Sequence, residues 1–330
     1  MKKNIALVTG GFSGEAVISY RSAKTIDSHL DRSLFNVYKI DVNPHGWFYE
    51  LVDGRKVEVD KNDFSLQLDN EKITFDAVFI GMHGTPGEDG KLQGYFDTLK
   101  IPYTGCDAAS SAITFNKRYA TAVAGASGIP VAKSVLLIKD VSGDVADCIT
   151  LKFPVFVKPN NGGSSIGMSK VNTPDPQQLE DAIQKAFKED SQVLVEEMVQ
   201  GREFTVGVFR SKGEIIVLPI TEVRADADMA FFDFEAKYQG KSSETTPAEI
   251  DETMADTIRA TARKVYAAFN CRGVVRIDFI YNQAEGRPYM LEVNTIPGQS
   301  DASIVPQQVR AMGWTLKEFY TKLVLACFGE

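Results

Sequence analysis

Two alternating strands near the end of the chain constrain most strongly what it can fold into. Val274 to Tyr281 and Pro288 to Val293 are joined by the short turn Asn282-Gln283-Ala284-Glu285-Gly286. Two such runs linked by a few residues that include glycine read as a β-hairpin. Side chains alternate along a strand, so Arg276, Asp278 and Ile280 share one face, and Met290, Glu292 and Asn294 share a face of the partner strand. Pairing can then bring Asp278, Glu292 and Asn294 together beside Arg276. Two carboxylates and an amide oxygen form a hard-oxygen set that suits Mg²⁺ completed by waters and substrate phosphates. Taken alone, the same residues also fit a solvated sheet face carrying an Arg–carboxylate pair.

A second feature shifts that balance. The strand Pro154 to Lys158 runs into Pro159-Asn160-Asn161-Gly162-Gly163-Ser164-Ser165-Ile166-Gly167. Glycines free the backbone to turn several N–H groups toward an anion, and the serines add donors. Lys158 adds a point charge for phosphates. The loop lacks the terminal Gly-Lys-Ser/Thr of a Walker loop and the strand–G-x-G-x-x-G–helix placement of a dinucleotide site. Alone it could be a flexible turn. A phosphate loop and a magnesium-type trio in one chain point to nucleotide-dependent phosphoryl transfer.

The surrounding pattern is α/β. Ile5–Val8, Val37–Val42 and Ala77–Ile80 read as buried strands, separated by helical stretches over Glu15–His29 and later Asp89–Leu99. Alternating strands and helices predict a parallel sheet with helices on both faces. A helix over Ser111–Ala126 stops at Gly128-Ile129-Pro130. The middle of the chain adds a helix over Pro176–Lys188 and a strand Gln192–Val195 entering Glu196-Glu197. The last third adds strands Glu203–Phe209 and Ile215–Pro219 and a helix over Asp251–Phe269. The polar stretch Arg224–Pro247 reads as a long loop over the site, since structureless loops of that length are usually functional or disordered. With 330 residues the chain suits two or three domains, and the expected division is 1–112, 113–198 and 199–330. A net charge of -8 leaves no global positive field, so no nucleic-acid partner is expected. The four cysteines show no metal-ligand spacing, and no segment approaches the ~20 apolar residues of a membrane helix. A soluble protein of a reducing compartment is expected.

The ordered motifs resemble the D-alanine–D-alanine ligase family of the ATP-grasp superfamily over nearly the whole chain. They are Gly10–Glu15, His83–Gly90, Ile101–Gly105, Lys158–Lys170, Glu203–Val206, Glu235-Ala236-Lys237-Tyr238, Gly273–Asp278, and Leu291–Thr295 with Pro297-Gly298. The resemblance implies an N-terminal parallel-sheet domain followed by a two-lobed ATP-grasp fold. It implies that Lys117, Lys158 and Ser165 hold ATP phosphates, that Glu196, Glu197 and Val199 form the adenine hinge, and that Glu203 binds the ribose. Asp278, Glu292 and Asn294 would hold Mg²⁺ or Mn²⁺, with two ions expected. Glu15 would take the ammonium of the first D-alanine, with Ser164 and Tyr238 as hydrogen-bond partners that tie two loops together and His83 alongside. Arg276 and the Gly298 N–H would stabilise the oxyanion. Ser303 and the Ile304 N–H would anchor the second carboxylate, and Lys237 would reach the transferred phosphate. Two residues depart from the pattern: Val17 stands where many relatives carry an acid, and Glu197 stands where some carry a base.

The implied activity is ATP-dependent joining of two D-alanines through a D-alanyl phosphate for peptidoglycan precursor and cell-wall synthesis. A cytoplasmic homodimer with no membrane partner would be expected. The competing readings are a related ligase using D-lactate or D-serine as acceptor, a nucleotide sensor and an NAD-dependent dehydrogenase. Tyr238 within Glu-Ala-Lys-Tyr favours the dipeptide maker, and a sensor has no need of Arg276. The N-terminal glycine turn lacks the third glycine of a dinucleotide site.

Overall fold

The computed structural model describes residues 1–141, 148–163, 166–225 and 242–329. The first sheet is built on β1 (Lys3–Gly10), whose last six residues are buried. It pairs in parallel with β2 (Phe35–Asn43) and β7 (Ala77–Ile80), and α1 (Ala16–His29) lies between β1 and β2 in the chain. Near-continuous apolar strands of this kind need both faces covered. Two strands that the sequence pattern did not single out, β3 (Gly46–Glu50) and β4 (Lys56–Glu58), extend the sheet as an antiparallel edge, giving the order β4-β3-β2-β1-β7. The hairpin β5 (Leu66–Leu68) and β6 (Glu71–Ile73) follows β4, and α2 (Lys91–Leu99) follows β7.

The single helix expected over Ser111–Ala126 is two helices, α3 (Ala108–Phe115) and α4 (Lys117–Ala126). Asn116 separates them in an extended conformation, and its side chain accepts from the Tyr119 N–H as the cap of α4. Beyond α4, β8 (Ser134–Ile138), β9 (Val155–Pro159), β10 (Ser169–Val171) and β11 (Gln192–Glu197) form an antiparallel sheet ordered β10-β9-β11-β8. Helix α5 (Pro176–Ala186), capped by Asp175, buries Leu179, Ala182, Ile183 and Ala186 against it.

The last sheet contains β12 (Arg202–Ser211), β13 (Glu214–Val217), β14 (Thr221–Ala225), β15 (Ser242–Thr245), β16 (Val275–Asn282) and β17 (Arg287–Asn294), ordered β15-β14-β12-β16-β17 with β13 beside β12. The expectation of one long loop over Arg224–Pro247 is corrected at its ends. There the chain pairs as the antiparallel roots β14 and β15, with Glu222 opposite Thr245, because the polar alternation reads as loop until a partner strand is present. Helix α6 (Glu252–Ala268) packs Ile258, Ala262 and Val265 on this sheet. Two further helices, α7 (Ile304–Ala311) and α8 (Leu316–Ala326), follow the hairpin. Phe319 and Tyr320 of α8 join Ile5, Leu7 and Phe79 of the first sheet to Phe209 of β12 in one buried cluster. Each such side chain contributes about 1.5–3 kcal/mol on burial, so the seam fixes the spacing of the two sheets.

The terminal hairpin forms as expected, but its alternation breaks. Asp278 lies opposite Glu292, yet Phe279 lies opposite Met290, so β17 carries an extra residue at Leu291. A bulge turns the side chains after it to the other face. Met290 therefore does not share the face of Glu292. It is buried in the core with Phe279, while Leu291 and Glu292 both line the cleft.

Candidate active site

A cleft of about 1380 Å³ opens between the second and third sheets and runs on into a cavity of about 360 Å³ against the first sheet. Glu15, Lys117, Asp278 and Glu292 line both. At the outer end β9 and β11 set Lys158 and Glu196 side by side, and Lys158 Nζ donates to Glu196 Oε1 at 2.8 Å. The pair is largely buried, which holds the ammonium extended into the cleft. Phe156, Met168, Ile280 and Leu291 add an apolar lining suited to a flat ring. Val199 and Glu203 lie on the same cleft. Glu197 lines the cleft too, and its carboxylate accepts from the Lys152 N–H at 2.9 Å.

The glycine loop is tied to α4. Asn160 accepts from the Lys117 N–H through its carbonyl at 3.0 Å and from the Arg118 N–H through its side chain at 2.8 Å. Lys117 Nζ donates to the Gly162 carbonyl at 2.6 Å. The loop reaches Glu15 directly: a Cβ on Gly163 would lie 2.8 Å from Glu15 Oε1, and one on Gly84 would lie 2.6 Å from Glu15 Oε2. Only backbone without a side chain can approach the carboxylate so closely on both flanks. Ser164, Ser165, Lys237 and Tyr238 lie outside the described residues.

Beside Glu15 stands Glu88, which accepts from the Gly84 N–H at 2.6 Å. Desolvation raises its pKa first, and the neighbouring Glu15 charge adds to the shift. One of two crowded carboxyls is then held neutral more readily than the other. His83 is buried with both ring nitrogens occupied. Nδ1 lies 2.8 Å from the Ile296 carbonyl and Nε2 lies 2.8 Å from Ser22 Oγ. A carbonyl only accepts, so Nδ1 carries the proton and Nε2 accepts from Ser22. Ser22 Oγ in turn accepts from the Gln299 N–H at 3.1 Å. Burial pushes the His83 pKa down to about 4, so the ring is neutral near pH 7. Its polar atoms are engaged with the protein, and it pins both sides of Pro297-Gly298.

At the inner end Arg276 grips Asp278 with two bonds, Nε to Oδ1 at 2.9 Å and Nη2 to Oδ2 at 2.8 Å. Thr205, the β12 partner of Asp278, also donates its hydroxyl to Oδ1. Glu292 Oε1 lies 3.8 Å from the guanidinium, and Asn294 Oδ1 accepts from the Ile296 N–H at 3.1 Å. Asp278 and Glu292 are register partners, as are Arg276 and Asn294, so the hairpin assembles the quartet that its sequence pattern predicted. Two carboxylates and one amide oxygen fit a divalent cation that also binds substrate oxygens. Among the described residues there is no cluster of three or more His, Cys, Asp and Glu able to hold a metal. Gly298, Ser303 and Ile304 line the 360 Å³ cavity; Ser303 stands at the N-cap position of α7, and its hydroxyl bonds not the helix end but Ser300 Oγ, at 2.7 Å. The start of a helix presents free N–H groups to an anion.

Two residues missed by sequence reasoning join the site. Glu88 sat within a quoted motif, but its closeness to Glu15 depends on how Gly84 turns. Thr205 carried a signal in the β12 alternation, which places it beneath the hairpin.

Residues 4–106 match the profile described as "D-ala D-ala ligase N-terminus", and residues 123–325 match "D-ala D-ala ligase C-terminus". The chain is 42% identical to a D-alanine--D-alanine ligase of Flavobacterium johnsoniae, covering 98% of each chain. It is 43% identical to one of Porphyromonas gingivalis, again over 98% of each. Among solved structures, the D-alanyl-alanine synthetase A of Vibrio cholerae superposes with TM-score 0.87 at 32% identity, covering 100% of this chain and 99% of that one. The VanG D-Ala:D-Ser ligase of Enterococcus faecalis superposes with TM-score 0.87 at 30% identity, covering 99% and 100%.

Proposed function

The chain belongs to the D-alanine–D-alanine ligase family, and we propose that its cleft and inner cavity carry out the ligation with the residues described above. The protein joins two D-alanines at the expense of ATP, an activity of cell-wall precursor synthesis. The observation that carries the site assignment is the continuity of the two cavities. Lys158 and Glu196 stand at one end, Glu15 in the middle, and Arg276 with Ser303 at the other.

Carboxylates are poor electrophiles, so the first D-alanine must be activated. Glu15 takes its ammonium and turns its carboxylate toward the γ-phosphate. Lys117 and Lys158 hold the phosphates, with Lys237 as a third cation by family resemblance. Glu196, Glu197 and Val199 flank the adenine, and Glu203 takes the ribose. Mg²⁺ or Mn²⁺ held by Asp278, Glu292 and Asn294, two ions in this reading, would offset charge during transfer. Ser303 and the Ile304 N–H anchor the carboxylate of the second D-alanine, whose amine, having lost a proton, attacks the carbonyl carbon of the acyl phosphate; the tetrahedral intermediate then collapses with cleavage of the C–O bond to phosphate, which leaves. Arg276 and the Gly298 N–H face the developing oxyanion, a contribution of roughly 3–4 kcal/mol per donor. By family resemblance, Ser164 and Tyr238 would act together to keep water from the intermediate.

The reading includes three domains over 1–112, 113–198 and 199–330. Each contains one of the larger sheets, and the first boundary falls inside α3. It also includes a cytoplasmic homodimer. Among the described residues no helix is long and apolar enough to cross a membrane. The 42% and 43% identity to the dipeptide ligases of Flavobacterium johnsoniae and Porphyromonas gingivalis, against 30% to the D-Ala:D-Ser enzyme, favours D-alanine as acceptor. The test is purified protein with ATP, Mg²⁺ and D-alanine, read as phosphate release and dipeptide by mass. Turnover only with D-lactate or D-serine would overturn the acceptor assignment.

A further inference from the structure

Gln308 is fully buried on α7, and its amide makes three hydrogen bonds. Oε1 accepts from the Gly207 N–H at 3.0 Å, while Nε2 donates to the Thr205 carbonyl at 3.0 Å and to Thr221 Oγ1 at 3.0 Å. A donor at Gly207 and an acceptor at Thr205 allow only one orientation of the amide. The side chain sits where β12 lacks a continuous partner. Pairing with β14 ends at Thr205–Thr221, and pairing with β13 begins at Val208–Val217. The amide thus stands in for the missing peptide group.

The residues it grips are those beneath the catalytic pair. On the other edge of β12, Thr205 is the register partner of Asp278 and Gly207 that of Arg276. The Thr205 hydroxyl continues the chain to Asp278 Oδ1, which Arg276 Nε also contacts. Gln308 lies one helical turn after Ile304, on the helix whose first residues follow Ser303. Burying an amide costs free energy unless every bond is made, and packing alone would be served as well by an apolar residue.

We propose that Gln308 is a positioning residue that fixes the distance between the acceptor anchor at the start of α7 and the Arg276–Asp278 pair. This rests on the assignment of Ser303 and Ile304 to the second substrate. The residue touches no substrate. It holds the attacking amine and the oxyanion donor in one frame, where a displacement of an ångström costs up to ~100-fold in rate.

The test is Gln308→Met, which keeps the volume and deletes all three bonds. Initial rates against D-alanine resolve the two substrate sites, and ATP is titrated separately. The expected result is an about tenfold lower kcat and an about tenfold higher KM for the second D-alanine, with KM for ATP and for the first D-alanine unchanged. Thr205→Val cuts the same chain at its far end without touching α7, and should lower kcat with the thermal midpoint retained. Unchanged kinetics in Gln308→Met would overturn the proposal. So would a loss spread evenly over all constants in step with a fallen melting temperature, or a Thr205→Val enzyme of normal kcat. Wild-type protein that makes no dipeptide would instead refute the assigned function, whatever the variants do.

Discussion

His83→Gln should remove a pH-dependent part of the stability whose size follows from the burial of the ring. In the folded protein the His83 pKa is lowered from 6.5 to about 4, chiefly by desolvation, with the Arg276 charge adding to it and the Ile296 hydrogen bond opposing it. Above pH 6.5 the ring is neutral in both states and titration contributes nothing. As pH falls through 6.5 the unfolded chain takes up a proton that the folded one refuses, so stability declines until about pH 4. A depression of that size at 1.36 kcal/mol per pH unit amounts to about 3 kcal/mol. The amide of Gln does not titrate. The variant loses about 0.5–1.5 kcal/mol per hydrogen bond at pH 7, yet it should be spared the acid decline. Urea unfolding of both proteins from pH 7 to pH 4 measures this as a relative shift of about 3 kcal/mol in the variant's favour, enough to close or reverse the gap present at pH 7. The His83 ring resonance, assigned by its disappearance in the variant, should stay in its neutral position at pH 5.5. Parallel stability curves, or a ring that protonates near pH 6.5, would refute the argument that both nitrogens are sealed.

Three further outcomes are expected. Glu292→Gln should abolish turnover while circular dichroism stays native, and it should shift the Mg²⁺ dependence of any residual rate; wild-type rates at ordinary Mg²⁺ would count against the trio. Glu88→Gln should remove a stability loss that wild type suffers as pH rises from about 4.5 to about 8, because over that window the unfolded chain is ionised while the folded one keeps its proton; identical slopes of the two proteins across that window would contradict the desolvation of Glu88 beside Glu15. Gly163→Ala places a methyl group 2.8 Å from Glu15 Oε1, so KM for the first D-alanine should rise about tenfold or more with little change in melting temperature, and an unaltered KM would separate the loop from Glu15.

What the sequence made legible is what local periodicity can carry. The quartet of Arg276, Asp278, Glu292 and Asn294 followed from period-two alternation on two strands too close in sequence to avoid pairing. The bulge at Leu291 did not follow, because an extra residue in a strand leaves no mark in its own alternation. It is specified by Phe279 and Met290 meeting in the core. That irregularity matters to the site: it turns Leu291 out beside Glu292, adding an apolar wall to a polar face. The helix break at Asn116 was a cap signal inside an otherwise helical run. It was hidden because nothing local says that Asn160 receives the new helix end. The same limit applies to β14 and β15, whose polar residues acquire strand geometry from partner strands, β14 from β12 and β15, and β15 from β14. Glu88 and Gln308 lie furthest from a sequence reading. A glutamate after Pro86-Gly87 and a glutamine after Pro306-Gln307 look like solvated residues until the fold sets one, half-buried, beside a second carboxylate and buries the other against the backbone of β12. Their placement comes from long-range packing. Pairing supplied the candidate ligands, while tertiary contact supplied the groups that hold them in register.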